Sequence, residues 1–163
     1  MKQQKTFFAF LAALLLTTAL PAQSWMGLRG EGPQVTRQLD VDDFAGFTLA
    51  INARDKIKQG KSPSVEAEGQ ENIIDNIVTE VRNGHWKIKF DQNVRRHEGL
   101  TIRITLPRLN EASISGSGSI EGQGAFTGLG DLQIGISGSG DIDLDFEAAD
   151  VHTSISGSGD IRL

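Results

Sequence analysis

The pattern with the clearest chemical potential is a row of three aspartates, Asp141, Asp143 and Asp145, at alternate positions near the C-terminus. Side chains alternate across a β-strand, so the three carboxylates would share one face. Such a row could collect Ca²⁺, which takes six to eight oxygen ligands, or supply the acids of a polysaccharide-cleaving β-helix. Outward aspartates also keep a strand soluble and discourage edge pairing, and the pattern favours this plainer interpretation.

The other candidate residues do not form a catalytic or metal-binding pattern. The histidines His85, His97 and His152 are far apart, and none is followed by a second ligand two or four residues later. His152 precedes Ser156 by four residues, but Ser156 belongs to a repeated set, which favours a structural role over that of a nucleophile. The absence of cysteine excludes disulfides, thiolate metal sites and a lipoprotein anchor. We therefore predict no catalytic, cofactor-binding or metal-binding residues.

A repeated sequence predicts the strands that position these residues. The pentapeptide Ile-Ser-Gly-Ser-Gly begins at Ile114, Ile136 and Ile155, at spacings of 22 and 19 residues. In each copy the isoleucines and glycines occupy alternate positions, which would face one side of a strand. The serines and aspartates occupy the positions between them, which would face the other side. One such strand cannot bury its apolar face alone, whereas stacked copies can. A period near 20 residues therefore predicts a β-solenoid.

Stacking would also align the serines into two outward ladders. One ladder contains Ser115, Ser137 and Ser156, and the other contains Ser117, Ser139 and Ser158. We favour small solvated spacers at a turn as their role. The alternative is a flat, hydroxyl-rich face that binds a sugar or another surface.

The repeat and the segments before it resemble the head GIN domain, a family of autotransporter adhesin head domains. The upstream segments that follow the family order are Phe47–Ile51, Asp55–Gly60, Val65–Gly69, Val81–Ile88 and Ile102–Pro107. The resemblance covers roughly residues 35 to 163. It implies a right-handed β-helix-like solenoid in the cell envelope, and it brings no catalytic residues. The chain stops at Leu163, where family members run on through further rungs, so we expect a truncated solenoid or an open last rung.

Upstream of the repeat, several local signals predict individual elements. Residues 70–77 form the one candidate helix, which would cover an end or an edge of the strand stack. Asn83-Gly84 between two alternating runs predicts a hairpin with a type I′ turn. Residues 91–99 are polar and predicted to be a loop, and residues 100–106 are predicted to be a strand.

The N-terminus predicts export. Residues 1–22 have the charged start, short apolar run and small-residue cleavage point of a signal peptide. Residues 23–33 are predicted to be a flexible lead, and residues 34–163 a single domain.

Without Lys2 and Lys5 the chain has 14 basic against 21 acidic residues, a net charge of −7. This charge argues against nucleic acid as a partner and against docking on anionic lipid.

Together these features predict an all-β, single-domain solenoid with Gly/Ser-rich rungs and one short capping helix. We expect a non-enzymatic, exported interaction module of the cell envelope, in the periplasm, on the outer surface or outside the cell. No transmembrane segment is expected after signal cleavage. Expected partners are a surface glycan, a protein, or a second copy bound at the open C-terminal rung. The alternative function is a polysaccharide-binding or polysaccharide-degrading β-helix that uses the outward Asp/Ser row.

Overall fold

The computed structural model describes residues 27–163, which are almost entirely β-structure. The first half contains β1 (Leu28–Arg29), β2 (Gln34–Leu39), β3 (Gly46–Leu49), β4 (Arg54–Gln59), β5 (Ser64–Gln70), α1 (Glu71–Ile74), β6 (Val81–Arg82) and β7 (His85–Ile88). The second half contains β8 (Val94–Arg96), β9 (Leu100–Leu106), β10 (Glu111–Gly116), β11 (Ser119–Gly122), β12 (Phe126–Gly138), β13 (Asp141–Asp143), β14 (Phe146–Gly157) and β15 (Asp160–Arg162). The predicted signal peptide and residues 23–26 lie outside the described residues.

Within residues 27–163, the strands form two large sheets and one small two-stranded sheet. The six-stranded sheet has the order β14-β12-β10-β3-β7-β6, and the seven-stranded sheet has the order β15-β13-β11-β4-β9-β5-β2. Strands β1 and β8 pair with each other in a separate two-stranded sheet. An all-β fold is therefore confirmed.

The three repeat copies stack in parallel and in register. Each copy runs through a strand of the six-stranded sheet and then enters a strand of the seven-stranded sheet. In the six-stranded sheet Ile114 pairs with Ile136, and Ile136 pairs with Ile155. In the seven-stranded sheet Ile120, Ile142 and Ile161 align in the same way. Like residues therefore lie above like residues, as the repeat predicts.

The first half of the domain departs from a uniformly parallel coil. β5 runs antiparallel to both β2 and β9, and β6 runs antiparallel to β7. β3 and β4 pair with β7 and β9 on one side and with β10 and β11 on the other, out of sequence order. Reversals of the chain at residues 60–63 and at Asn83-Gly84 produce these mixed sheets. Asn83 and Gly84 have φ of 55° and 72°, as the predicted type I′ hairpin requires.

The core is formed by the apolar side chains that occupy alternate positions along the strands. Phe47, Trp86, Ile102, Ile114 and Ile136 are among its buried side chains. The indole N–H of Trp86 donates to the carbonyl of Val78 at 2.9 Å, which satisfies the one polar atom of that ring. In the third repeat copy Ile155 is 51% exposed, because β14 is an edge strand of its sheet among the described residues.

Three local predictions need adjustment. The predicted helix at residues 70–77 is a single turn, Glu71–Ile74, which buries Ile73 and Ile74 beside β5. The predicted loop at residues 91–99 contains β8. The described part of the predicted flexible lead contains β1, which is tied to β8 by backbone hydrogen bonds. Short strands such as these carry too few residues to show an alternating pattern. Within residues 27–163, no helix is long and apolar enough to cross a bilayer.

Candidate functional site

The outer side of the six-stranded sheet carries a surface lined with hydroxyl groups. We call the surface formed by Thr48, Ser113, Ser115, Ser137, Ser154 and Ser156 the hydroxyl face. Ser115, Ser137 and Ser156 are aligned on β10, β12 and β14, and Thr48 is aligned with Ser113. The residues line a shallow groove of about 510 Å³ together with Gln133 and His152. The first of the two predicted serine ladders is therefore present and forms part of a larger polar surface.

One end of the hydroxyl face is organised by His85. The ring Nε2 lies 2.9 Å from Thr48 Oγ1, and Nδ1 lies 3.3 Å from Glu111 Oε2. Thr48 Oγ1 in turn lies 2.8 Å from Ser113 Oγ, which donates to Glu111 Oε1 at 3.3 Å. The four side chains come from three strands, so no motif in the sequence indicates this network.

This network has the residue types of a nucleophile with its base and orienting acid, but its setting favours a structural role. A nucleophile also needs free donors to stabilise the oxyanion that forms during acyl transfer. Thr48 and Ser113 lie on β3 and β10, each of which is paired on both sides. The backbone N–H groups of such strands are used by the sheet. The arrangement therefore fits a hydrogen-bonded polar surface better than an acyl-transfer centre.

The second serine ladder lies where each repeat turns from one sheet to the other. The backbone N–H groups of Ser139 and Ser158 donate to the carbonyls of Gly116 and Gly138, each at 2.9 Å. Gly138 and Gly157 have φ of 141° and 138°, and a Cβ on either would overlap the glycine backbone of the preceding copy. These two positions require glycine because the turns stack at backbone contact. Gly138 and Gly157 are thus explained by the stacking of the turns.

The predicted aspartate row is exposed on the seven-stranded sheet and its end. Asp141 is aligned with Asp160 and accepts a hydrogen bond from the Asp160 N–H at 3.3 Å, whereas Asp143 is aligned with Arg162. Asp145 follows the end of β13, and its carbonyl accepts a hydrogen bond from Phe126. Within residues 27–163, no group of three or more His, Cys, Asp or Glu side chains is placed to hold a metal ion. The geometry gives the Ca²⁺ alternative no support.

The three histidines have separate environments. His85 and His152 occupy the same row of the six-stranded sheet four strands apart, a separation of about 19 Å at the usual strand spacing. His97 packs edge-on against Phe90, with ring centroids 6.2 Å apart. The structure therefore does not join the histidines into one site.

A cleft at the turns between the sheets brings together residues that are distant in sequence. We call it the turn-edge cleft; it has a volume of about 660 Å³. Its polar lining includes Arg54 of β4, Arg95 and Arg96 of β8, and Ser117, Ser139 and Asp141 of the repeats. The two consecutive arginines fall within the loop predicted at residues 91–99, and no sequence feature connects them with the repeats. Their adjacency in sequence was the one available signal.

A buried aspartate was also missed. Asp55 is fully buried on β4, in a column of the seven-stranded sheet whose neighbours are Ile102 and Ile120. Neither carboxylate oxygen has a hydrogen-bond partner. Burial raises the pKa of Asp55 well above its usual range because the charged form loses its hydration.

The family model for "Putative auto-transporter adhesin, head GIN domain" matches residues 43–163, which is most of the chain and includes both serine ladders. The chain belongs to the head GIN domain family. A search of the curated proteins finds no match to this sequence. The resemblance inferred from the repeat is therefore confirmed, and it extends over the strands that carry both candidate surfaces.

Solved structures agree with this assignment at the level of the fold. A putative adhesin from Parabacteroides merdae has a TM-score of 0.76 and 19% identity, with 82% of this chain and 57% of that chain covered. A putative lipid binding protein from Parabacteroides distasonis has a TM-score of 0.66 and 20% identity, with 83% of this chain and 75% of that chain covered. A putative adhesin from the same organism has a TM-score of 0.61 and 18% identity, with 82% and 66% covered. This head GIN domain thus spans little more than half the length of the first of these proteins.

Proposed function

We propose that this head GIN domain is a non-enzymatic, exported interaction module of the cell envelope, which binds a neutral surface glycan through the hydroxyl face. The finer architecture that suits this role is a right-handed, β-helix-like solenoid in the repeat half. The site of action that we propose is the envelope or cell surface, consistent with the adhesin description of the family.

The in-register stacking of the three repeats carries this proposal. It repeats the same serine on β10, β12 and β14, at the strand spacing of about 4.8 Å. The opposite sides of β10 and β12 are packed into the core by Ile114 and Ile136. A face held in this way is already ordered before it binds, so little conformational entropy is lost on association.

The chemistry of the face suits a neutral sugar. Hydroxyl groups both donate and accept hydrogen bonds, as sugar hydroxyls do. Gln133 adds an amide and His152 an imidazole to the same groove. Glu111 is the one acidic side chain in its lining, and it is engaged by His85 and Ser113. A neutral ligand would therefore meet a surface of matching hydrogen-bonding groups.

The proposal is tested by removing hydroxyls from the middle of the face. The double substitution Ser137→Val and Ser156→Val keeps strand-forming residues but deletes two hydroxyls. With each hydrogen bond contributing about 1 kcal/mol, we expect neutral-glycan affinity to fall roughly tenfold or more. The measurement is binding to an array of neutral polysaccharides, followed by calorimetry on the best ligand.

The matched control is Ser64→Val, which changes an exposed serine at the start of β5 in the other sheet. It should leave affinity unchanged. Equal affinities of wild type and the double variant, or no neutral glycan bound at all, would overturn the proposal.

A further inference from the structure

The turn-edge cleft is lined by three arginines that form no ion pair in the described part of the chain. Within residues 27–163, the arginine ion pairs involve Arg37, Arg82, Arg103 and Arg162. Arg54, Arg95 and Arg96 line the cleft and take part in none of them. Residues 1–26 contain no Asp or Glu. Three arginines of a chain with net charge −5 thus line one cleft, and none of them forms an ion pair within residues 27–163.

The strand that carries two of these arginines is held at both ends. The N–H of Leu28 donates to the Asn93 carbonyl at 2.7 Å, and the N–H of Gly30 donates to the Arg96 carbonyl at 2.8 Å. Just outside β8, the Gln92 N–H donates to the buried Asn76 side chain at 2.9 Å. The Glu98 N–H donates to the buried Gln70 side chain at 3.0 Å. These contacts fix the backbone of β8 against the domain, which reduces the entropy lost when a ligand binds.

The remaining lining narrows the ligand class. Guanidinium groups match carboxylate and sulfate oxygens with two parallel hydrogen bonds. Ser117, Ser119 and Ser139 offer hydroxyls, and Phe90 offers an apolar surface of the kind on which sugar rings pack. The volume of about 660 Å³ falls within the usual range of ligand sites. Asp141 places one negative charge on the side of the cleft that the repeats form. This charge would repel a compact multivalent anion more strongly than a polymer whose charges are spaced along its length.

We propose that the turn-edge cleft binds an acidic glycan. The carboxylate or sulfate groups of the glycan pair with Arg54, Arg95 and Arg96, and its hydroxyls bond to the serines of the repeat turns. This inference rests on the arginines and the clamped strand β8, and it is independent of the neutral-glycan site on the hydroxyl face.

The test compares binding of the full chain to polygalacturonate and to dextran sulfate, with unmodified dextran as the neutral probe. We expect binding to at least one acidic polymer and weaker binding to dextran. The double substitution Arg95→Glu and Arg96→Glu should lower acidic-polymer affinity by about tenfold or more, because opposed charges are lost and repulsion is added. Both residues are exposed, so the fold should be kept, and circular dichroism checks this.

The matched control is the double substitution Lys61→Glu and Arg108→Glu, which makes the same change in net charge at exposed positions outside the cleft lining. It should retain most of the affinity. An equal loss in both doubles, or no binding to either acidic polymer, would overturn the proposal. A stronger, Arg95- and Arg96-dependent affinity for phosphatidylglycerol vesicles than for both polymers would replace the glycan with a lipid headgroup.

The hydroxyl-face double variant distinguishes the two sites. Ser137→Val and Ser156→Val should leave acidic-polymer binding intact, because neither residue lines the turn-edge cleft. Loss of acidic-polymer binding in that variant would contradict a separate cleft site.

Discussion

Asp55 is the residue whose chemistry conflicts most with its surroundings. Its neighbours in the same column of the seven-stranded sheet are isoleucines, and its two carboxylate oxygens are buried without partners. The raised pKa means that the folded protein holds a proton on Asp55 at pH values where the unfolded chain has lost it. A buried polar group without a hydrogen bond costs free energy even when it is neutral.

The sign of the resulting pH dependence follows from proton binding. An aspartate in the unfolded chain titrates near pH 3.9. Above this value and up to the raised pKa of the folded state, folding takes up a proton, so the contribution of Asp55 to stability falls as pH rises. We expect Asp55→Val to remove this slope and to raise the free energy of unfolding at pH 7 by about 1–3 kcal/mol.

Asp55→Asn is the matched control, since it removes the charge but keeps a buried polar group. It should also remove the slope while gaining less stability than valine. Denaturant unfolding between pH 4 and pH 8 measures both effects. Parallel pH profiles for wild type and Asp55→Val would contradict the assignment.

At the scale of elements, the repeat strands show that the contribution of a side chain to stability depends on where its strand lies in the sheet. Ile114, Ile136 and Ile155 occupy the same position of the repeat and lie in one column of the six-stranded sheet. Ile114 and Ile136 are 1% and 3% exposed, whereas Ile155 is 51% exposed. Identical local sequences therefore bury very different amounts of apolar surface.

This difference predicts unequal costs for one substitution made at equivalent positions. Ile136→Ala should lower the free energy of unfolding by about 2–5 kcal/mol, the usual range for deleting a buried isoleucine. Ile155→Ala should cost less than about 1 kcal/mol, as expected for a half-exposed side chain. Chemical denaturation of the two variants provides the comparison. Similar losses at the two positions would show that the third strand is covered in solution.

At the scale of the whole molecule, β14 forms one edge of the six-stranded sheet and β15 forms one edge of the seven-stranded sheet among the described residues. Val151 and Ile155 expose apolar side chains on β14, whereas the residues paired with them on β12 are buried. Edge strands with free backbone groups and apolar side chains favour pairing with another strand. We propose that a second copy of this chain is one partner for this edge.

The proposed pairing predicts concentration-dependent association. Ile155→Lys should reduce association because it places a charge among the apolar side chains of the edge. Ser154→Lys, on the adjacent outward position of the same strand, should have a smaller effect. Sedimentation velocity over a range of protein concentrations measures both variants. A wild-type protein that stays monomeric throughout would contradict the pairing.

The candidate surfaces differ in how far the sequence could anticipate them. The ladder of Ser115, Ser137 and Ser156 follows from the repeat, because identical copies stack like residues over like residues. The His85 network could not be anticipated, since His85 contacts Thr48 and Thr48 contacts Ser113 across separations of 37 and 65 residues. Pairings of this kind depend on the order of strands in the sheet.

The sequence by itself determined the alternation of the strands, the register of the three repeats, the hairpin at Asn83-Gly84 and the family. These properties arise from local periodicity, from glycine at positive φ, and from copies that match one another. Tertiary structure alone decided that β3 and β4 lie beside β10 and β11, and that Asp55 faces the core. It also decided that Arg95 and Arg96 join Arg54 at the repeat turns. The physical reason is that strand order in a mixed sheet is set by backbone pairing between distant segments, which leaves no periodic trace in the chain.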